Sequence, residues 1–72
     1  MTQEAIAANI KHIIRERGMK QKTVGERAGF TEQQFSRMLN GRNLIHADHI
    51  PAIANAIGVN YDEVFAERRE GR

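Results

Sequence analysis

The chain has 72 residues, no cysteine and a formal charge of +2 at neutral pH, a length that suits one domain and is too short for two. Without cysteine there is no thiolate metal site, redox pair or disulfide framework, which fits a reducing cytoplasm. The opening MTQEAIAANIKH lacks the basic start and continuous apolar stretch of a signal peptide, and no apolar run nears the roughly 20 residues of a membrane span.

Ile6, Ile10, Ile13 and Ile14 recur at helical spacing among the polar Asn9, Lys11, His12, Arg15 and Glu16, which predicts an amphipathic helix from about residue 4 to 17. Gly18 suits the left-handed turn that ends a helix, with Met19 folding back onto the apolar stripe. A second helix of barely two turns follows from Gln21 to Ala28, with Val24 and Ala28 inward and Gly29 closing it. Thr31 and Gln34 have capping-box spacing, so a third helix starts there, buries Phe35, Met38 and Leu39, and ends at Asn40-Gly41. The connection 42–46 leads to a fourth apolar stripe of Ile50, Ile53, Ala54 and Ile57, ending at Gly58. Proline is harmless in a first turn but costs about 3 kcal/mol or more in a helix interior, so Asp48 is the expected N-cap, with Pro51 at the third position. Asn60 caps a last short helix, Asp62 and Glu63 favour its N-terminal dipole, and Val64 and Phe65 pack inward. No segment alternates as a strand does. The expected fold class is therefore all-α, a compact bundle of five short helices over residues 1–66, with a frayed charged tail at 67–72.

Charge is distributed unevenly. Residues 11–42 hold eight Lys or Arg against three Glu, a net of +5, whereas 43–67 hold four carboxylates and no Lys or Arg. A segregated basic face is the footprint of a phosphate-binding surface, although charges also cluster on ordinary solvated faces.

The segment QKTVGERAG-FTEQQFSRMLNG reads as two helices joined by a tight turn, in which Gly25, Ala28 and Gly29 permit close packing. With Phe35, Met38 and Leu39 inward, Glu32, Gln33, Ser36, Arg37 and Asn40 turn outward to varying degrees, Gln33 and Arg37 one turn apart. Gln can pair bidentately with adenine and Arg with guanine in the major groove, which admits a helix. The order Arg15, Gly18, Gln21, Val24 to Gly29, Phe35-Ser36-Arg37, Asn40-Gly41, Ile53 to Asn60 and Asp62 to Phe65 resembles the Cro and phage-repressor helix-turn-helix regulators from Lys11 to Phe65. The resemblance implies a lambda-repressor-like DNA-binding fold with the helix-turn-helix at helices two and three. By position it makes Glu32, Gln33, Gln34 and Arg37 the base readers. Lys20, Gln21, Lys22, Ser36, Arg42 and Asn43 become the phosphate contacts. It further implies a sequence-specific regulator of transcription, a repressor, which acts in the bacterial or phage-infected cytoplasm on the nucleoid. A homodimer on a palindromic double-stranded operator is expected, with Leu44, Ile45, Tyr61 and Phe65 as its apolar contacts. Departures from the family pattern fall at Gly25, where alanine is usual, at Lys20, where a Ser or Thr cap is usual, and at Leu39, Ile45 and Pro51.

Other readings attach to several of these residues. Gln34 can be occupied by the Thr31 amide, and Glu32 either accepts from a cytosine amine or serves the helix dipole. His46 and His49 flank Asp48, but two imidazoles do not complete the three or four ligands zinc prefers, so no metal or other cofactor is expected. No catalytic triad, carboxylate pair or glycine-rich phosphate loop is visible, and no enzymatic activity is expected. A protein-interaction module, or an autoregulating antitoxin, on the same fold is the alternative. An interaction surface would place apolar anchors on the outward face of the third helix, where this sequence has polar residues.

Overall fold

The computed structural model describes residues 2–65. Among them lie five α-helices, α1 (Gln3–Glu16), α2 (Gln21–Arg27), α3 (Glu32–Leu39), α4 (Ile50–Ile57) and α5 (Tyr61–Val64), with a 3-10 turn at Ala47–His49 and no strand. The expected tail at 67–72 lies outside the described residues. No helix among them is long and apolar enough to cross a membrane.

Each of the first four helices ends in the same way. At α1 the Met19 N–H reaches back to the Ile14 carbonyl (3.0 Å) and Gly18 to Arg15 (3.1 Å), which satisfies carbonyls the helix leaves unpaired. Gly18 adopts φ 65° to allow this, a region costly for any residue with a Cβ. The same pairing recurs after α2, α3 and α4, closing on Phe30, Arg42 and Val59.

Helix starts are more varied. The Thr2 hydroxyl accepts from Ala5 N–H at 3.0 Å, so α1 starts at Gln3, one residue before the expected start. Lys20, at the N-cap of α2, makes no side-chain cap bond. At α3 the capping box is complete: Gln34 N–H donates to Thr31 Oγ1 and Thr31 N–H to Gln34 Oε1, both at 3.0 Å. Asp48 is not the cap of α4, contrary to expectation. The chain enters through the 3-10 turn instead, where His46 N–H donates to His49 Nδ1 at 3.4 Å, and Pro51 falls within the first turn of α4. Asn60 precedes α5 as expected, its N–H donating to the Glu63 carboxylate at 3.0 Å.

The apolar stripes converge on one core, in which Ile10, Val24, Phe35, Ile53 and Val64 are fully enclosed, one from each helix. Helix α1 packs on α2, α3 and α5, while α4 packs on α2, α5 and the 3-10 turn. Two long-range ties hold α1 to later parts of the chain. Buried Asn9 donates to the Val64 carbonyl at 2.9 Å, joining α1 to the end of α5. Gln3 clasps the backbone of Ile45 with both ends of its amide, Nε2 donating to the carbonyl (3.0 Å) and Oε1 accepting from the N–H (2.7 Å). That clasp seats the Ile45 side chain in the core. Ile45 is only 3% exposed, so the expectation that it supplies surface for a dimer is corrected; its apolar side chain has been used inside the domain.

Candidate nucleic-acid interface

Helices α2 and α3 meet across the turn at Gly29 and Phe30. A Cβ on Gly25 would come within 3.0 Å of the Phe35 Cβ and 3.1 Å of its ring, so the missing side chain is what lets the two helices approach. Phe30 then stacks on Phe35 (centroids 6.0 Å, 11° between planes) and meets the His49 ring edge-on at 5.0 Å. The turn is thus braced against the segment leading into α4. Sequence reasoning passed over Phe30, which breaks no pattern and interrupts the polar stretch before Thr31 as a lone aromatic.

This bracing sets the outward face of α3. Phe35, Met38 and Leu39 are buried, whereas Glu32, Gln33, Gln34, Arg37 and Asn40 are exposed and Ser36 is half-buried. A shallow cleft gathers Gln21 from α2, then Glu32, Gln33, Ser36, Arg37 and Asn40 along α3, and Arg42 beyond it. Six of the ten residues expected to read bases or hold phosphate therefore share one surface. Asn40 joins them, its Nδ2 within 3.4 Å of Ser36 Oγ. Its outward position was visible in the helical spacing, but no role followed from that.

The remaining four lie elsewhere. Gln34 and Asn43 border a neighbouring depression with Phe30, Met38, Leu44 and the two histidines. The Oε1 of Gln34 already accepts from the Thr31 N–H, which ties this side chain to the start of α3. Lys20 and Lys22 are exposed at the start of α2 and do not border the cleft. Among the described residues the ion pair within 4.0 Å is His12–Glu16 at 3.2 Å, so none of Lys20, Lys22, Arg37 and Arg42 is neutralised by a carboxylate.

Of the apolar residues assigned to subunit contact, Leu44 and Tyr61 are exposed and Phe65 is half-buried, its ring 5.4 Å from that of Tyr61. The histidines near Asp48 have packing partners: the His46 and His49 rings meet edge-on at 5.2 Å, and no group of three His, Asp or Glu suited to a metal occurs among the described residues.

What this arrangement can do chemically follows from its donors and acceptors. An exposed helix bearing Gln33 in its first turn and Arg37 one turn on, with the uncompensated Arg42 beside it, has the donors and acceptors to meet base edges and flanking phosphates in a major groove. Residues 9–66 match the family model described as Cro/C1-type HTH DNA-binding domain. No curated protein matches the chain by sequence. Among solved structures, that of the clp gene regulator ClgR from C. glutamicum is similar, with a TM-score of 0.82 at 17% identity, covering 88% of this chain and 82% of that one. At that identity the likeness speaks to the fold.

Proposed function

The chain belongs to the Cro/C1-type helix-turn-helix family of DNA-binding domains, and from that premise we propose that it is a sequence-specific regulator of transcription, a repressor. In this reading α3 enters the major groove of a palindromic operator. The observation that carries the proposal is the gathering of Gln21, Gln33, Ser36, Arg37 and Arg42 on one polar cleft along α3. Gln33 and Arg37 read adjacent base pairs, by bidentate contacts to adenine and guanine. Gln21, Ser36 and Arg42 hold phosphates on either side, and Asn43, Lys20 and Lys22 extend that contact at the margins. Gln34 contributes through its amide NH2. Glu32 chiefly stabilises the start of α3, since a carboxylate facing phosphate is repelled unless it meets a cytosine amine. Repression follows physically from occupancy, because a protein seated in the groove excludes others from the same base pairs.

The test is a binding profile over all single-base variants of a selected operator for wild type, Gln33→Ala and Arg37→Ala. Each bidentate contact discriminates by about 1–3 kcal/mol, so each variant should lose preference at one or two neighbouring positions and keep its affinity for random duplex. Unchanged profiles for both folded variants would show that α3 is not the reader. If wild type instead shows no salt-sensitive retention of duplex, the protein-interaction reading of the same fold gains the ground.

A further inference from the structure

A second depression lies beside the first. It is lined by Lys11, Ile14 and Arg15 of α1, Met19, Gln21 and Asn40. Gln21 and Asn40 also line the cleft along α3, so the two surfaces are continuous. Lys11 and Arg15 are one helical turn apart and share an edge of α1. Among the described residues neither is ion-paired; the Glu16 carboxylate on that stretch lies 3.2 Å from His12 Nε2. Helix α1 packs directly against α3, which holds this edge in fixed relation to the reading surface.

Resting on the DNA-binding reading above, we propose that Lys11 and Arg15 form a further phosphate-binding site, which receives the DNA backbone where it leaves the α3 groove past Gln21 and Asn40. The ligand is duplex phosphodiester, not a free anion. The shared residues Gln21 and Asn40 border both depressions, so a strand that follows the first cleft has a continuous path into the second. Two flexible cations one turn apart suit successive phosphates as point charges, without any need for base contact. The ordinary role of Arg15, a cation complementing the C-terminal dipole of α1, predicts a change in thermal stability on removal and none in salt dependence.

The experiment compares wild type with Lys11→Gln, Arg15→Gln, the double variant and Arg27→Gln, on operator and on random duplex across a salt series. Arg27 is an exposed cation in the last turn of α2 that borders neither depression, and its loss controls for net charge. Each phosphate contact removed should reduce the slope of log affinity against log salt by about 0.9, so the double variant should lose roughly 2 for each protomer bound and Arg27→Gln far less. Operator preference should be unaltered. Neutral methylphosphonates placed singly along the operator should weaken wild type at positions flanking the half-site, and that penalty should vanish in the double variant. Wild type that binds, with folded Lys11 and Arg15 variants retaining its slope, would overturn this site alone. Wild type that fails to bind duplex would overturn the DNA-binding reading and this site with it.

Discussion

Gly25 and Phe35 have to be understood together. In an exposed helix, alanine is favoured over glycine by about 1 kcal/mol, which makes Gly25→Ala an obvious stabilising change from the sequence alone. Position 25 is buried, however, and the new Cβ would meet the Phe35 Cβ at 3.0 Å, with Phe35 fully enclosed and unable to yield. Overpacking of this kind typically costs about 1–3 kcal/mol, so Gly25→Ala should lower the melting temperature. A stabilised Gly25→Ala protein in a thermal melt would show that α2 and α3 can separate freely. Lys20 offers the opposite case. It occupies an N-cap without capping, and Lys20→Ser supplies the missing acceptor, worth about 1 kcal/mol. The same change removes an exposed cation beside the proposed phosphate track. Melting temperature should rise while affinity for random duplex falls, and a rise in both would place Lys20 off the DNA face.

At the scale of elements, the clasp between α1 and the connection after α3 has the greatest consequence. Gln3 takes both hydrogen bonds of the Ile45 backbone, as a neighbouring strand would, and so fixes a segment that has no regular structure of its own. Intramolecular hydrogen bonds contribute about 1 kcal/mol each, and Gln3→Ala leaves the Ile45 N–H and carbonyl of a buried residue without those partners. Amide exchange should therefore accelerate selectively at Ile45, with the α3 and α4 amides much less affected; uniform acceleration would mean that the clasp supports the whole core. The complete capping box of α3 bears on recognition in the same way. It holds the first turn, where Glu32 and Gln33 lie, in one conformation before DNA arrives, so less ordering accompanies binding. Thr31→Ala should cost about 1 kcal/mol of stability and weaken specific binding more than random binding.

Across the whole fold, the first and last helices are joined through Asn9, which is 3% exposed and donates to the Val64 carbonyl at the close of α5. Asn9→Leu keeps the size but deprives that carbonyl of this donor, at a cost of about 1–3 kcal/mol. In a domain this small each kcal/mol shifts the melting temperature by roughly 4–8 °C, well within the reach of a thermal melt. The proposed dimer is also decided at this scale. With Ile45 buried, exposed apolar surface among the large residues that the structure describes reduces to Leu44, 62% exposed, and Tyr61, 45% exposed. Leu44→Asp should lower affinity for a duplex carrying two half-sites and spare binding to one half-site. Equal losses on both duplexes would put Leu44 on the DNA side, beside Arg42 and Asn43 with which it shares a depression.

Local patterning was enough to establish five helices, the glycine-terminated ends of the first four, the Thr31 capping box and the polar outward face of α3. Those features depend on residues within one or two turns of each other, and helical periodicity, capping and turn chemistry are local physics. Position by position, the resemblance also located most of the cleft. Tertiary structure decided the rest. Ile45 looks like any aliphatic loop residue until Gln3, 42 positions away, draws it inward. Gly25 looks like a weakness in α2 until Phe35 arrives against it, and Asp48 looks like a cap until Phe30 and His46 bring His49 into a 3-10 turn. Lys11 and Arg15 belong to the polar face of an amphipathic helix by sequence, and only the packing of α1 on α3 sets them alongside Gln21 and Asn40. In each case at least one deciding partner lies on another element, and a one-dimensional pattern carries no distance between elements.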